Sequence, residues 1–162
     1  MTLVEAFVRT AKTHGDRLAI VDRLTGHRVS YKHALLRSLI LARKLEGYDP
    51  GFLGVMIPNT AGAILTVIAA TMTGRTPVMI NYSSGAARNC QDAQRRLGFR
   101  TIVTSRALLA KIKCPEVDGM VFLEDIAASV SLFQKVAGSI RATRSVDGVL
   151  ASLPTLSADD KV

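Results

Sequence analysis

The sequence contains few of the residues that build disulfide frameworks and metal sites. Its only cysteines are Cys90 and Cys114, and they show no Cys/His spacing typical of a metal site. We therefore expect two free, buried thiols in a reducing, cytoplasmic environment, and no bound metal.

Long apolar runs and secretory signals are also lacking. The longest apolar stretch, residues 61–73, has about half to two-thirds of the ~20 residues that span a bilayer. Charged residues interrupt the N-terminal segment at helical spacing, unlike the apolar centre of a secretory signal. We therefore expect neither a membrane span nor export.

Aromatic residues are scarce, so few side chains could stack on bases although the net charge of +8 would attract a nucleic acid. Tryptophan is absent, and the Lys and Arg residues are scattered along the chain, so we expect no nucleic-acid partner. Arg88, Arg95 and Arg96 share the polar face of one predicted helix, and Arg100 follows it. This face is either solvated or a docking patch for an acidic protein or a phosphate-bearing ligand.

The common nucleotide-binding and catalytic motifs are absent. Neither Gly-x-x-x-x-Gly-Lys-Ser/Thr nor Gly-x-Gly-x-x-Gly occurs. His14, His27 and His33 have no Asp and Ser or Cys placed as partners, which favours surface positions. Glu124 and Asp125 follow a predicted strand, where they are either helix N-terminal acids or carboxylates of a functional edge. The residues themselves identify no catalytic group.

What is present is the composition of a globular domain. Of the 162 residues, 48% are hydrophobic and 21% are charged, which allows a sizeable core. The mean hydropathy of +0.25 is high for a soluble protein. Either some apolar surface meets a partner, or a further domain covers it.

Predicted strands and helices alternate along the chain. An opening amphipathic helix is followed by a hairpin that turns at Gly26 and by a helix that begins at Ser30. The later apolar runs predict strands over residues 53–57, 78–81, 100–104 and 120–123. Helices are predicted from a cap at Asn59 or Thr60 to Gly74, then over residues 85–97, 107–113 and 126–140.

The spacing of these elements predicts the fold class. Two apolar strands joined through one helix, with a crossover of about twenty residues, favour a parallel βαβ unit. We predict an α/β fold with a doubly wound, mostly parallel sheet flanked by helices and a small antiparallel N-terminal hairpin. It should occupy residues 1–141, and residues 142–162 should form a linker. The helix after residue 60 is apolar nearly all round, so a second layer should cover it.

The candidate binding residues follow the second strand of the βαβ unit. They are Asn81, Tyr82, Ser83, Ser84 and Gly85. Ligands of doubly wound sheets bind beyond the carboxyl ends of the strands, where amides and hydroxyls can face an anion. The alternative is an ordinary strand-to-helix turn capped by serine.

Several segments resemble a known family. They are "HGDRLAIVDRLTGHRVSYKHALLRSLILARKL", "GVMIPNTAGAILTVIAATMTGRTPVMINYSSGAARN", "RTIVTSRALLAKIK" and "MVFLEDI". Over residues 2–126 the chain resembles the N-terminal part of the AMP-forming adenylating enzymes. Ser30-Tyr31 and Pro58-Asn59 are general to that superfamily. Asn81-Tyr82 with Gly85, and residues 104–106, resemble the branch of acyl-acyl carrier protein synthetases and the synthetase half of 2-acylglycerophosphoethanolamine acyltransferase.

The resemblance implies a two-step reaction. A fatty acid and ATP, with Mg²⁺, give an acyl-adenylate, and the acyl group then passes to the pantetheine thiol of acyl carrier protein or coenzyme A. The family's phosphate loop would be expected shortly after Val162, so the chain should be an inactive scaffold fragment that binds no cofactor by itself. No catalytic residue is transferred to this sequence, and residues 81–85 would form the rim of the acyl-adenylate site.

Three other expectations remain open. The chain is alternatively a stand-alone doubly wound module that binds a small anion or an acidic carrier protein. Apolar faces left uncovered would allow self-association. A parent protein fused to an acyltransferase would associate with the inner membrane, whereas the adenylating part would be cytoplasmic.

Overall fold

The computed structural model describes residues 1–154. The helices in this part are α1 (Leu3–His14), α2 (Tyr31–Leu45), α3 (Ala61–Met72), α4 (Ala86–Leu97), α5 (Arg106–Ile112), α6 (Leu123–Ala128), α7 (Leu132–Thr143) and α8 (Val146–Leu150). The strands are β1 (Leu18–Val21), β2 (Arg28–Ser30), β3 (Phe52–Met56), β4 (Thr76–Met79), β5 (Ile102–Thr104) and β6 (Met120–Phe122). None of the helices within residues 1–154 has the length and hydropathy needed to cross a bilayer.

Four strands form one parallel sheet in the order β4-β3-β5-β6. The sheet has a buried core on each face, and side chains of β3 enter both. Leu53 and Val55 pack with α1, α2 and α3 on one face, and Met56 packs with α4 and α5 on the other. Strands β1 and β2 form a separate antiparallel hairpin. The predicted doubly wound α/β class with a leading hairpin is confirmed, because apolar strands buried on both faces need a helical layer on each side.

Gly54 lies at the centre of the sheet, where β4 and β5 flank β3. A Cβ atom at this position would lie 2.8 Å from Cγ1 of Ile102 and 2.9 Å from Cε2 of Phe99. These side chains belong to the buried cluster under α4 and α5. The glycine is therefore required by close packing across the sheet.

Helix α3 packs against α2. Ala63, Ala69 and Met72 of α3 are buried in the same cluster as Leu35 and Leu39 of α2. The second layer expected over this apolar helix is thus supplied within the chain.

The prediction of one continuous helix over residues 126–140 is wrong, since the structure has two helices there, α6 and α7. Ser131 separates them with a reciprocal capping box: its Oγ accepts a hydrogen bond from the amide of Gln134, and its amide donates to Oε1 of Gln134. Ile126 of the predicted apolar stripe is buried, but Phe133 and Ile140 are exposed.

The reason for this exposure is the contact between α7 and α2. Gly138 is the buried residue of α7, and a Cβ atom there would lie 2.7 Å from Cγ1 of Ile40. The glycine lets the two helix backbones approach closely, so α7 rests on its small-residue face. The apolar stripe on the opposite face consequently points to solvent.

The stretch predicted as a linker, residues 142–162, is described up to residue 154. Ser145 Oγ accepts a hydrogen bond from the amide of Gly148 at the start of α8, and Val149 is fully buried in the cluster that includes α1. The described start of this stretch is therefore packed on the domain. The segment "TLSADDKV" lies outside the described residues, and the domain boundary stays a prediction.

We predict that Gly54→Ala destabilises the chain by roughly 1–3 kcal/mol, because the added methyl group would overlap side chains of a close-packed core. This cost exceeds the roughly 0.5–1 kcal/mol that alanine gains over glycine in backbone entropy. Urea unfolding measures the difference. Gly47→Ala is the matched control, since its Cβ would meet only the Lys44 carbonyl oxygen at 3.5 Å. Equal stability of the two variants would contradict the packing assigned to Gly54.

Candidate functional site at the carboxyl edge of the sheet

The four parallel strands end at one edge of the sheet, and the predicted binding residues follow β4 there. Asn81, Ser83, Ser84 and Gly85 are exposed, and Tyr82 is partly buried against the core under α4. Strand β4 ends at Met79, two residues before the predicted end, so the whole segment 81–85 is a loop.

Two asparagines organise this loop. Oδ1 of Asn81 accepts hydrogen bonds from the amide of Ser83 at 2.9 Å and from its hydroxyl at 2.6 Å. Nδ2 of Asn89, on the first turns of α4, donates to the carbonyl oxygens of Asn81 at 2.9 Å and Ser84 at 2.8 Å. The loop is therefore tied to the helix that follows it, through a residue that the sequence reasoning did not select.

The first turn of α4 has no side-chain cap. Gly85 occupies the N-cap position in a left-handed conformation, with φ of 61°. Since glycine has no side chain, the N-cap residue cannot bond to the amides of the turn. The serine cap considered from the sequence is thus not formed. Backbone N–H groups at an uncapped helix N-terminus favour a negatively charged ligand.

An open cleft of about 660 Å³ lies beside this turn. Its walls are the loop and first turn, residues 82–88, and the end of α5 with the residues after it, 112–115. Arg88 and Lys113 are the cationic residues of its lining. The size falls within the roughly 300–1,000 Å³ of small-molecule sites, and the charge suits an anion.

Glu124 and Asp125 lie at the same edge, where they are bound by Arg106. The guanidinium donates to both carboxylate oxygens of Asp125, at 2.6 and 2.7 Å, and the amide of Arg106 donates to Oε1 of Glu124 at 3.0 Å. The hydrogen bonds from Arg106 lower the pKa of Asp125. These acids join the start of α6 to the start of α5, which gives them a structural role.

The structure also accounts for Cys90 and for most of the arginine face, whereas Cys114, expected to be buried, is only partly buried. Burial raises the pKa of Cys90 to about 11, so this thiol stays protonated and unreactive at neutral pH. Arg88 and Arg95 both pair with Asp92, and Arg100 pairs with Asp118. Within the described residues, no group of three His, Cys, Asp or Glu side chains could hold a metal ion.

Asp22 is a buried carboxylate that the sequence reasoning missed. Its Oδ2 accepts a hydrogen bond from the amide of Ala61 at 2.9 Å, and its Oδ1 accepts from the amides of Leu24 and Thr25. It thereby caps α3 from the hairpin. The predicted cap at Asn59 or Thr60 is corrected accordingly: Thr60 holds the N-cap position, but its side chain makes no cap hydrogen bond.

We predict that Asp22→Ala lowers the melting temperature at neutral pH by at least about 3 °C, because α3 loses its cap and the hairpin turn loses its acceptor. The hydrogen bond from Ala61 lowers the pKa of Asp22 below its ordinary value of 3.8. The ionised Asp22 carboxylate therefore stabilises the fold at pH values above 3.8, and this stabilisation is lost as the pH falls through the lowered pKa.

The check is thermal unfolding of the wild type and Asp22→Ala at neutral pH and at pH below 3.8. The difference in melting temperature should shrink in acid. Asp16→Ala is the control, since Asp16 is exposed and makes no hydrogen bond through its side chain in the described structure. A difference that stays constant with pH would rule out the ionised cap.

We also predict that Asn89→Ala loosens the loop over residues 81–85. Loss of two hydrogen bonds should speed the hydrogen exchange of the Ser83 amide, which donates to Oδ1 of Asn81, by about tenfold, with little change in global stability. Gln91→Ala, an exposed position on the same helix, should leave this rate unchanged. Unaltered exchange in Asn89→Ala would show that the loop is held by other contacts.

Comparisons with proteins of known structure find several that share this fold. No family model matches the chain. Klebsiella oxytoca NpsA, in complex with 3-hydroxyanthranilyl-AMSN, matches with a TM-score of 0.69 and 15% identity over 99% of this chain and 29% of its own. The N-terminal domain of FACL13 from Mycobacterium tuberculosis matches with a TM-score of 0.60 and 16% identity, over 81% of this chain and 37% of its own.

A third match is FmoA3, a nonribosomal peptide synthetase bound to alpha-methyl-L-serine-AMP. Its TM-score is 0.66 at 19% identity, over 80% of this chain and 15% of its own. At such identities the likeness establishes a shared fold. This chain spans well under half the length of each of these proteins.

Proposed function

We propose that this chain is the N-terminal subdomain of an ATP-dependent, AMP-forming ligase that activates fatty acids. The observation that carries the proposal is the fold match over 99% of the chain to NpsA, bound to an AMSN ligand. The bound form of FmoA3 contains an aminoacyl-AMP, which supports adenylate chemistry as the function of this fold. The sequence resemblance over residues 2–126 supports the fatty acyl branch.

In the proposed reaction, a fatty acid carboxylate oxygen attacks the α-phosphorus of ATP and pyrophosphate leaves. The pantetheine thiol of acyl carrier protein or coenzyme A then attacks the acyl carbon, and AMP leaves. The loop 81–85 with the cleft beside α4 would lie at the rim of the acyl-adenylate site. The uncapped amides after Gly85 and the charge of Arg88 would favour the negative charge of that intermediate.

The described residues do not fit a magnesium site, since Glu124 and Asp125 are occupied by Arg106 and no cluster of metal ligands is present among them. We therefore assign to this chain the holding of loops and cleft walls, and no catalytic step. ATP phosphates and Mg²⁺ would be bound by other parts of the proposed parent protein.

The test is fatty-acid-dependent exchange of labelled pyrophosphate into ATP. A parent protein containing this sequence should catalyse exchange with fatty acids of some chain length, and the 162-residue chain should show none. In the parent, Ser84→Tyr should raise KM for the acid by narrowing the rim, whereas Gln91→Ala should not. Exchange by the isolated chain would refute its assignment as a non-catalytic subdomain.

The alternative function is a stand-alone module that binds a small anion or an acidic carrier protein, and the cationic cleft beside α4 is the feature that favours it. The 162-residue chain and the longer parent protein together distinguish the module from the ligase. Salt-sensitive binding of an acidic carrier protein by the 162-residue chain, together with no exchange by the longer protein, would replace the ligase proposal with the module.

A further inference from the structure

Helix α7 presents its apolar side chains to solvent. Leu132 is 77% exposed and Phe133 is 81% exposed, and Val136 and Ile140 are 50% and 57% exposed. At 100° per residue these four positions fall on one face of the helix, which we call the α7 ridge. Such a contiguous stripe of large apolar residues on a surface helix indicates an interaction surface.

The ridge cannot turn inward without unpacking the helix. The opposite face of α7 meets α2 at Gly138, where a Cβ atom would lie 2.7 Å from Ile40. The capping box at Ser131 fixes the start of the helix, and Arg141 is hydrogen-bonded through its guanidinium to Ser152 near the end. The rotation of α7 about its axis is therefore set by contacts on both sides of Gly138.

The charged residues of α7 and of its flanking segments are all positive. No acidic residue occurs between Asp125 and Asp147, and the cations in this interval are Lys135, Arg141 and Arg144. Lys135 and Arg144 make no ion pair with any residue among 1–154. Long cationic side chains beside an apolar stripe can bury their methylene stems and still contact anionic groups.

The dimensions of the ridge favour a lipid surface over a second copy of the chain. Helix α7 has 12 residues and is therefore about 18 Å long. With a width of about 10 Å it would bury far less than the ~800 Å² per partner of a stable protein interface. Interfacial insertion instead needs only a short apolar face with flanking cations.

We infer that α7 docks on the surface of an anionic phospholipid membrane, with the α7 ridge entering the boundary between headgroups and acyl chains. Lys135 and Arg144 would contact lipid phosphates and carboxylates, and the helix would lie parallel to the surface without crossing it. This inference does not depend on the proposed ligase activity, since it uses only α7 and its neighbours.

Co-sedimentation with vesicles tests the inference on the 162-residue chain. The chain should bind vesicles of phosphatidylcholine mixed with phosphatidylglycerol, bind pure phosphatidylcholine much more weakly, and lose most binding at high salt. Phe133→Ser should lower the partition coefficient by about tenfold, since one aromatic side chain is withdrawn from the apolar layer. Arg144→Gln should lower it by about fivefold.

Leu24→Ser is the matched control, because Leu24 is 63% exposed on the hairpin, away from α7. Since Phe133 and Leu24 are both exposed, both variants should fold, and circular dichroism verifies this. Equal partitioning of Phe133→Ser and the wild type would overturn the inference. Absence of binding to anionic vesicles would also overturn the inference. If sedimentation velocity then shows a dimer that Phe133→Ser dissociates, the α7 ridge binds a second copy of the chain instead.

Discussion

The central strand β3 imposes the main constraint on this structure. It is paired with β4 on one side and β5 on the other, and residues 53–56 are buried. Because its side chains alternate between the two faces of the sheet, both faces need a helical cover, and its buried backbone groups need partners on both edges. The two cores on opposite faces of the sheet follow from this requirement, and the close approach at Gly54 belongs to one of them.

The parallel arrangement also brings the ends of the strands to one edge, and polar side chains there hold the loops. Asp22 caps α3, Asn89 fixes the loop after β4, and Arg106 joins the starts of α5 and α6. Each of these polar side chains is hydrogen-bonded to a neighbouring segment, so together they hold the loops at this edge in place. That is the contribution we propose for the chain within a ligase. Helix α7 differs, because its packing through Gly138 leaves apolar side chains outside.

The sequence was sufficient for the fold class, because apolar strands and helices alternate at distinct periods and Gly and Ser mark most helix ends. It was insufficient for contacts between distant segments. Asp22 reaches Ala61 across 39 positions, and an Asx-type turn over residues 22–25 was its only local signal. The exposure of Phe133 was missed because an amphipathic stripe predicts a buried face, and only the contact of Gly138 with Ile40 shows which face is covered. The candidate loop 81–85 was selected because it follows the carboxyl end of a predicted strand, but its hydrogen bonds with Asn89 were not predicted.

Native-state hydrogen exchange tests most directly whether the sheet is one cooperative unit built on β3. The amide of Gly54 donates to Thr101, that of Ile80 to Val55, and that of Ile102 to Gly119, so each reports on a different junction of the sheet. We expect all three amides to exchange with the free energy of global unfolding measured in urea. Exchange of the Ile80 or Ile102 amide at a much lower free energy, while Gly54 stays protected, would show that the sheet is not one cooperative unit.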